Sequence, residues 1–278
     1  MSKAIKGLSK LSKYLKLSIV LPVYNEKENL SFLIPQLDEV CNRLCTDYEI
    51  IVVDDNSNDG TLELIETYSD KYSKIKHIVR HTNMSLPLSI LEGIQKSIYE
   101  NVMWLDADGS MDSSSVELLI NEFKENSNNF IVGSRFAKGG GYKGQTSNED
   151  NIYSVIKNIK NSEDSFLAIY LSIFFNRILK QLISTDVTDL TSGFIIGKKS
   201  KIKSDAFTRS NYGEYFIYLI TDLLKQNEKI IEVGYLCKPR QNGNSKTSNN
   251  LVTLIRLGLP YIKVAITCRQ IMNIKKRF

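Results

Sequence analysis

Residues 102–112 read V-M-W-L-D-A-D-G-S-M-D, a stretch that changes within a few positions from apolar to acidic. Val102 to Leu105 form an apolar run typical of a buried parallel strand, and Asp106 and Asp108 follow where that strand becomes a loop. Carboxylates at a strand end face the crevice in which an open α/β sheet binds ligands. Two such acids are costly to crowd together unless a cation neutralises them, and their oxygens suit Mg²⁺ or Mn²⁺. The stretch therefore predicts a site for a divalent cation and a diphosphate. The alternative is a turn that caps the helix starting near Ser113.

Strand and helix patterns alternate along the chain before this stretch. Apolar, β-rich runs predict three strands, at Leu17 to Val23 with a break at Pro22, at Tyr48 to Val53, and at Ile75 to Arg80. Amphipathic helices between them end near Leu44, Tyr72 and Tyr99. Short alternation of this kind predicts the α/β class, with a doubly wound, mostly parallel sheet flanked by helices. Right-handed crossovers would bring the polar loops after the strands to one edge.

The charge distribution is uneven, although the whole chain of 278 residues has a net charge of only +5. Residues 1–16 carry five Lys and no acid, and residues 233–278 carry nine Lys or Arg and no acid. Residues 17–232 carry 22 basic and 31 acidic residues, a net charge of −9. An acidic body with basic ends argues against a nucleic-acid partner and favours contact with an anionic membrane.

The four cysteines and two histidines show no spacing typical of a zinc site. So few cysteines in a chain of this length indicate a reducing compartment. No uncharged apolar run approaches the roughly 20 residues of a membrane span, and the start of the chain lacks the apolar core of a signal peptide. We therefore expect a cytoplasmic protein, peripheral on the cytosolic face of a membrane.

Three motifs in order resemble glycosyltransferase family 2, whose members have the GT-A fold of nucleotide-diphospho-sugar transferases. They are L-S-I-V-L-P-V-Y-N-E at 17–26, I-I-V-V-D-D-N-S-N-D-G-T at 50–61 and D-A-D at 106–108. Each motif alone is weak, whereas the three together at this spacing are a strong signal.

The resemblance implies roles for individual residues. The donor nucleoside would be held by Pro22, Tyr24, Glu26, Val53 and Asp55, where Tyr24 can lie against a flat base and Asp55 can accept hydrogen bonds from it. Asp54 would orient its loop, and Gly60 with Thr61 would form a turn and helix cap. Asp106 and Asp108 would bind the metal, Mg²⁺ or Mn²⁺, together with Ser110, which stands where some members carry Gln.

The second half of the chain narrows the resemblance to the polyprenyl-phosphate branch, of which dolichyl-phosphate mannosyltransferase is a member. The motifs that carry it are S-R-F at 134–136, T-S-G-F at 191–194, G-E-Y-F at 213–216 and R-Q-N-G-N-S-K at 240–246. By resemblance Arg135 and Ser172 would bind the acceptor phosphate, while Arg240 and Lys246 would bind the donor diphosphate. Arg suits bidentate phosphate contact and Lys acts as a point charge.

The resemblance implies an inverting transfer of a hexose from a nucleotide-diphosphate sugar to a polyprenyl phosphate. The acceptor is already an anion, so no strong base is required, and catalysis consists of aligning two anions and stabilising the leaving diphosphate. Asp106, Asp108 and Arg135 would be the catalytic residues.

One departure from the family pattern concerns the acceptor. Members carry an Arg shortly before the Ser that matches Ser172, whereas this chain has Ala168 and Ile169 there. A polar insert at 142–165 precedes this region, and its Lys143 or Lys157 could replace the missing cation; otherwise the acceptor differs.

Three segments are predicted. A basic amphipathic leader covers 1–16, the glycosyltransferase domain covers 17–248, and a basic amphipathic helix covers 249–278, where it would lie on a membrane or a membrane-protein partner, with a kink or division at Pro260. The apolar helix from Phe166 to Leu179 would also face the membrane; the alternative for both helices is packing on the body of the protein.

Two other functions stay open. One keeps the fold and donor but uses a sugar hydroxyl as acceptor in glycan assembly, which requires a general base such as Asp189 or Glu214. The other is a non-catalytic nucleotide-sugar-binding subunit, against which the combination of acid pair and basic residues argues.

Overall fold

A computed structural model describes three ranges of the chain, 14–142, 166–238 and 251–275. Within them, side chains are left undescribed at 166–171, 251–257 and 273–275. Arg240 and Lys246 lie outside the described ranges, as do residues 1–13 of the leader and 143–165 of the insert, including Lys143 and Lys157.

The described strands are numbered in chain order. They are β1 Lys16–Val23, β2 Asp47–Asp54, β3 Ile75–Val79, β4 Asn101–Trp104, β5 Phe130–Ser134, β6 Gly141–Tyr142, β7 Ile195–Lys198, β8 Ile230–Gly234 and β9 Leu236–Cys237.

The helices are numbered in the same way. They are α1 Lys27–Leu44, α2 Thr61–Lys71, α3 Leu86–Lys96, α4 Ser113–Glu125, α5 Phe166–Ile183, α6 Asp205–Thr208, α7 Tyr215–Lys225 and α8 Leu251–Lys275.

Seven strands form the central sheet in the order β3-β2-β1-β4-β7-β5-β8. β1 to β4 are mutually parallel, and β5 pairs in parallel with β8, while β7 runs antiparallel between β4 and β5. The mostly parallel, doubly wound sheet predicted from the sequence is therefore confirmed. The antiparallel β7 is absent from the sequence prediction, because a four-residue apolar strand shows no period that would set its direction.

Two apolar layers cover the sheet, one on each face. One contains the inner side chains of α1 and α4, and the other those of α3, α5, α7 and α8. Strands buried on both faces explain the continuous apolar runs of β1 and β2. The carboxyl ends of β1, β2, β4 and β5 consequently share one edge, where the candidate site lies.

The first strand is not broken at Pro22, contrary to the sequence prediction. It pairs with β2 as far as Val23, opposite Asp54, whereas its pairing with β4 stops at Val20. Because β4 no longer pairs with β1 at this position, the missing N–H of Pro22 removes no hydrogen bond to β4.

The C-terminal helix α8 continues through Pro260, so a division there is wrong, while the alternative of a kink stays a prediction. It packs against α5 and α7, and Val264, Ala265 and Cys268 are buried there. Tyr261 lies on the same side, 5.9 Å from Phe175 of α5 between ring centroids. This packing holds the helix together where the proline removes one main-chain bond.

The opposite face of α8 is exposed, including Leu259 and Ile266. No helix in the described part of the chain has both the length and the hydropathy that crossing a bilayer requires.

Candidate active site

The loops after β1 and β2 are joined by hydrogen bonds at the carboxyl edge of the sheet. The N–H of Asn25 donates to Oγ of Ser57 at 2.8 Å, and the N–H of Asn58 donates to Oδ1 of Asn25 at 2.9 Å. Asn25 has a positive φ of 57°, which Asn tolerates better than most residues. The two motifs that resemble a donor-nucleoside pocket thus form one continuous surface.

Asp54 and Asp59 support this loop pair from within. Asp54 is fully buried and accepts bonds from both the N–H and the hydroxyl of Ser57. Asp59 accepts from the N–H groups of Lys27 at 3.2 Å and Thr61 at 3.0 Å. The prediction that Asp54 orients the loop is confirmed.

The side chains matched to the donor nucleoside differ in how far they are exposed to solvent. Tyr24 is 46% exposed, so its ring is available to a flat base. Glu26 is half-buried and accepts from the amide of Asn29 at 2.6 Å. Pro22 and Val53 are buried, and Val53 belongs to the core between the sheet and α3. A contact of Val53 with a ligand therefore has to come from its main chain.

Asp55 lies in a buried polar network that the sequence did not predict. Nη1 of Arg80 lies 2.7 Å from its Oδ1, and the hydroxyl of Ser89 donates to the same oxygen at 2.8 Å. Burial raises the pKa of Asp55, and the bonds from Ser89 and Arg80 oppose that rise. Arg80 also pairs through Nε with Glu92 at 3.0 Å. The carboxylate is thereby held in one orientation.

The acidic loop follows β4 and turns sharply at Gly109, whose φ is +78°. Asp106 is partly exposed and Asp108 is buried, and Oδ1 of Asp108 accepts from the N–H of Ser110 at 3.0 Å. The helix cap belongs to Asp112, which accepts from the N–H of Ser115 at 3.0 Å. Neither Asp106 nor Asp108 is therefore required for the capping role that was their alternative.

The donor set of this loop fits a divalent cation of the Mg²⁺ or Mn²⁺ kind. Within the described ranges no group of three or more His, Cys, Asp or Glu side chains could hold a metal ion. Asp106 and Asp108 supply hard carboxylate oxygens, and Ser110 lies beside them. Mg²⁺ is commonly held by one or two carboxylates plus substrate phosphates and water, so two acids at an open edge suffice.

A cluster of buried aromatic side chains, Trp104, Phe207 and Tyr215, lies near Asp106. The hydroxyl of Tyr215 accepts from Nε1 of Trp104 at 2.9 Å, and the Tyr215 ring stacks on Phe207 with centroids 5.3 Å apart. Burial raises the pKa of Tyr215, and the charge on Asp106 raises it further. The phenol therefore stays protonated. The sequence did not predict this aromatic cluster, since its residues come from three separate elements.

Arg135 follows β5 and is bound by Asp189. Its Nε and Nη2 donate to the two carboxylate oxygens of Asp189, each at 2.8 Å, and Nη2 also donates to the hydroxyl of Thr191 at 2.8 Å. Burial alone would lower the pKa of Arg135, but the adjacent Asp189 raises it above its ordinary value. Within the described ranges the side-chain hydrogen bonds of Arg135 come from Nε and Nη2, and the side chain is 17% exposed.

Ser172 lies close to Arg135 through shared neighbours. The hydroxyl of Tyr142 donates to the Ser172 hydroxyl at 3.5 Å, and the Tyr142 ring centroid lies 5.9 Å from the Arg135 guanidinium. One turn further along α5, the amide of Asn176 donates to Thr191 at 3.0 Å. Arg135 and Ser172, the two residues that resemble an acceptor site, therefore belong to one cluster through the neighbours that they share.

Both carboxylates considered as a general base are engaged elsewhere. Asp189 is fully buried and bound to Arg135, and its own N–H donates to Glu232 at 3.0 Å. Glu214 is buried and accepts from the N–H groups of Asn211 at 2.8 Å and Tyr212 at 3.1 Å. These bonds occupy each carboxylate and leave it poorly placed to remove a proton from a hydroxyl.

Arg240 and Lys246 lie beyond the last residue described before the gap at 239–250. That residue, Lys238, donates its N–H to the carbonyl of Ser110 at 3.0 Å.

The carboxyl edge of the sheet thus carries two acids after β4 and, after β5, a guanidinium held by Asp189. Such an edge can hold two anionic groups if a cation offsets the acids.

A family model described as glycosyl transferase family 2 matches residues 18–204. Among curated proteins, the chain is 35% identical over 126 residues to a dolichol-phosphate mannosyltransferase of Pyrococcus furiosus, 45% of this chain and 35% of that protein. It is 38% identical over 121 residues to a cholesterol galactosyltransferase of Borreliella burgdorferi, 44% of this chain and 32% of that protein.

A longer match joins the chain to an undecaprenyl-phosphate 4-deoxy-4-formamido-L-arabinose transferase of Pectobacterium atrosepticum. The two are 26% identical over 233 residues, 83% of this chain and 62% of that protein. The chain thus matches between 32% and 62% of the length of these three relatives.

Solved structures share the fold. A glucosyl-3-phosphoglycerate synthase from Mycobacterium tuberculosis, in complex with Mn²⁺, UDP and phosphoglyceric acid, superposes with a TM-score of 0.63 at 14% identity, over 95% of this chain and 82% of that one. At this identity the likeness supports the GT-A fold alone.

Proposed function

The chain belongs to glycosyl transferase family 2, and from that premise we propose that it transfers a hexose from a nucleotide-diphosphate sugar to a polyprenyl phosphate. The observation that carries the proposal is the placement of two groups on one sheet edge, the acid pair Asp106 and Asp108 and the oriented guanidinium of Arg135. The relatives named for dolichol phosphate and undecaprenyl phosphate support this choice of acceptor.

The donor would lie across the loops after β1, β2 and β4. Tyr24 would stack on the base, and the oxygen of Asp55 not bound by Arg80 would accept from a base N–H. When bound at Asp106 and Asp108, a divalent cation would offset the charge that develops on the leaving diphosphate. By resemblance Arg240 and Lys246 would contact the same diphosphate.

The acceptor phosphate would be held by Nη1 of Arg135 beside Ser172. Asp189 fixes the guanidinium plane, so that little side-chain entropy is lost when the phosphate binds. One acceptor oxygen attacks the anomeric carbon, the bond from that carbon to the diphosphate oxygen breaks, and its electron pair leaves with the nucleoside diphosphate. In-line attack inverts the anomeric centre. No proton has to be removed, which agrees with the engaged state of Asp189 and Glu214.

Transfer to a hydroxyl acceptor is the second candidate. The relative named cholesterol galactosyltransferase favours it, as does the absence of an Arg at 168 and 169, where the polyprenyl-phosphate branch has one. A hydroxyl acceptor needs a base, and the two carboxylates proposed for that role already hold Arg135 and the start of α7. The phosphate acceptor therefore fits the geometry better.

Contact with the cytosolic face of an anionic membrane is part of the proposal. The helices α5 and α8 contain no acidic residue, and they pack against each other. On each helix, large apolar side chains and cations are exposed together: Phe174 and Arg177 on α5, Leu259, Lys263, Ile266 and Arg269 on α8. Such a surface suits the interface of an anionic bilayer, from which a polyprenyl acceptor enters.

The test is a panel of radiolabelled UDP- and GDP-sugars incubated with the protein, Mn²⁺ or Mg²⁺, and vesicles that contain a polyprenyl phosphate. Label that enters the organic phase in an acid-labile form supports the phosphate acceptor. Acid-stable label in the organic phase, or label in a water-soluble glycan, would move the function to a hydroxyl acceptor. Absence of transfer with every donor would refute the enzyme activity.

A further inference from the structure

Lys238 makes two contacts with the acidic loop after β4. Its N–H donates to the carbonyl of Ser110 at 3.0 Å, and its Nζ forms an ion pair with the carboxylate of Asp112. The Asp112 side chain is 10% exposed and that of Lys238 is 36% exposed. One residue therefore contacts both ends of the turn from Ser110 to Asp112.

The same turn contributes to holding Asp108. Ser110 donates its N–H to Oδ1 of Asp108 at 3.0 Å, while its carbonyl accepts from Lys238. At the other end, Asp112 is fixed by the N–H of Ser115 at 3.0 Å and by its hydroxyl at 2.7 Å. A shift of Ser110 would therefore change the direction in which Asp108 presents its second oxygen.

The position of Lys238 is itself set by the strand pair β6 and β9, which lies next to Arg135. It directly follows β9, whose two residues pair with β6 so that Cys237 lies opposite Tyr142. The residue before β9, Tyr235, donates its N–H to the carbonyl of Ser134 at 3.1 Å, immediately before Arg135. Lys238 thus connects the strand pair next to Arg135 with the loop that carries the acids.

We propose that Lys238 is a positioning residue of the cation site. It holds the Ser110 to Asp112 turn in the conformation in which Asp106 and Asp108 would bind a divalent cation. The inference rests on the proposed function only in taking these two acids as the cation ligands. Groups that orient metal ligands typically contribute 10- to 100-fold to metal affinity, so the expected effect is measurable.

The experiment measures Mn²⁺ binding by the loss of the free-ion EPR signal, with saturating UDP in one series and GDP in another. Lys238→Met should weaken Mn²⁺ binding about tenfold. Lys238→Arg, which keeps the charge, should recover most of the affinity. The control is Lys201→Met, since Lys201 pairs with Glu228 at 2.8 Å on the surface, and its Mn²⁺ affinity should change less than about twofold.

A second variant tests whether Lys238 acts through Asp112. Asp112→Asn should weaken Mn²⁺ binding by a similar factor, and the double variant Lys238→Met/Asp112→Asn should be no weaker than the worse single variant, because both changes break one contact. Thermal unfolding of each variant is the folding control, since Asn at position 112 can still cap α4.

Three results would overturn the inference. The first is a folded Lys238→Met protein with unchanged Mn²⁺ affinity. The second is a loss of metal-free UDP or GDP binding as large as the loss of Mn²⁺ binding, which would make Lys238 a direct phosphate contact. The third is a wild-type protein that binds no Mn²⁺. A wild-type protein that binds Mn²⁺ but transfers no sugar would refute the proposed function and leave this inference standing.

Discussion

Arg80 and Asp55 form a buried ion pair at the end of β2. Nη1 of Arg80 lies 2.7 Å from Oδ1 of Asp55, and the two side chains are only 6% and 11% exposed. Truncating one partner of such a pair leaves an uncompensated buried charge, which usually costs about 3 to 5 kcal/mol of folding stability.

Arg80→Leu should therefore lower the free energy of unfolding by about 3 to 5 kcal/mol and weaken binding of a UDP or GDP donor. The matched control is Arg43→Leu, which breaks a surface pair between Arg43 and Glu117, also at 2.7 Å, with 53% of the arginine side chain exposed. That change should cost less than about 1 kcal/mol. Urea unfolding measures both variants, and equal losses would mean that burial does not strengthen the Arg80 pair.

The acid pair should be essential for turnover but not for folding. Asp106→Ala and Asp108→Ala should each reduce sugar transfer about 100-fold or more, because the leaving diphosphate loses its charge stabilisation. Circular dichroism should show an unchanged fold, since Asp112 supplies the helix cap. Either variant with wild-type transfer rates would remove that residue from the mechanism.

Arg135→Ala should impair the acceptor more than the donor. We expect KM for the polyprenyl phosphate to rise about tenfold or more, while the Kd of the nucleotide changes little, because one charge-assisted bond to the phosphate is lost. Arg135→Lys should not restore the wild-type value, since an ammonium cannot keep the two-pronged contact with Asp189. A donor titration and an acceptor titration on the same variants separate the two effects, and a shift confined to the donor would contradict the assignment.

The exposed face of α8 should contribute to vesicle binding. Lys263→Glu together with Ile266→Ser should reduce co-sedimentation with anionic vesicles several-fold, since each basic residue near such a surface contributes about 1 kcal/mol. Deleting residues 251–278 would be a poorer test, because Ala265 and Cys268 are fully buried and their removal would expose the core. Lys203→Glu, an exposed change outside both helices, is the control, and an equal loss there would indicate a non-specific charge effect.

Asp47 should make folding stability depend on pH in the acid range. It joins the starts of three strands, since it pairs with Lys74 before β3 and accepts from the hydroxyl of Tyr99, before β4, at 2.6 Å. The bond from Lys74 is the main cause that lowers the pKa of Asp47 to about 2, and the bond from Tyr99 adds to it.

Because the folded pKa of Asp47 lies below its ordinary value, its contribution is present above about pH 4 and disappears as the pH falls towards 2. Asp47→Asn should be less stable than the wild type at pH 7, and the difference should shrink across this window. Unfolding curves at several pH values measure it, and a difference that stays constant down to pH 2 would assign the effect to packing.

The sequence predicted one half of the site better than the other. The motifs near Tyr24, Asp55 and Asp106 lie directly after strands, so the parallel topology alone brings them to one edge. Arg135, Ser172 and Asp189 belong to segments far apart in the chain, and nothing in their spacing shows that Asp189 binds the arginine. The ion pair of Arg80 with Asp55 also has no sequence signal, since a basic residue at a strand end is more often exposed.

By itself the amino-acid sequence determined the strand and helix alternation, the family, the acidic loop and the basic ends, because hydrophobic period and turn chemistry are local properties. The tertiary structure alone decided how the acidic loop and the segment of Arg135 are joined through β6 and β9, which carboxylates are engaged, and that one face of α8 belongs to the core. The physical reason is that a hydrogen bond or a packed face depends on which distant residues meet. These contacts exist only in the folded sheet, and the order of residues along the chain does not specify them.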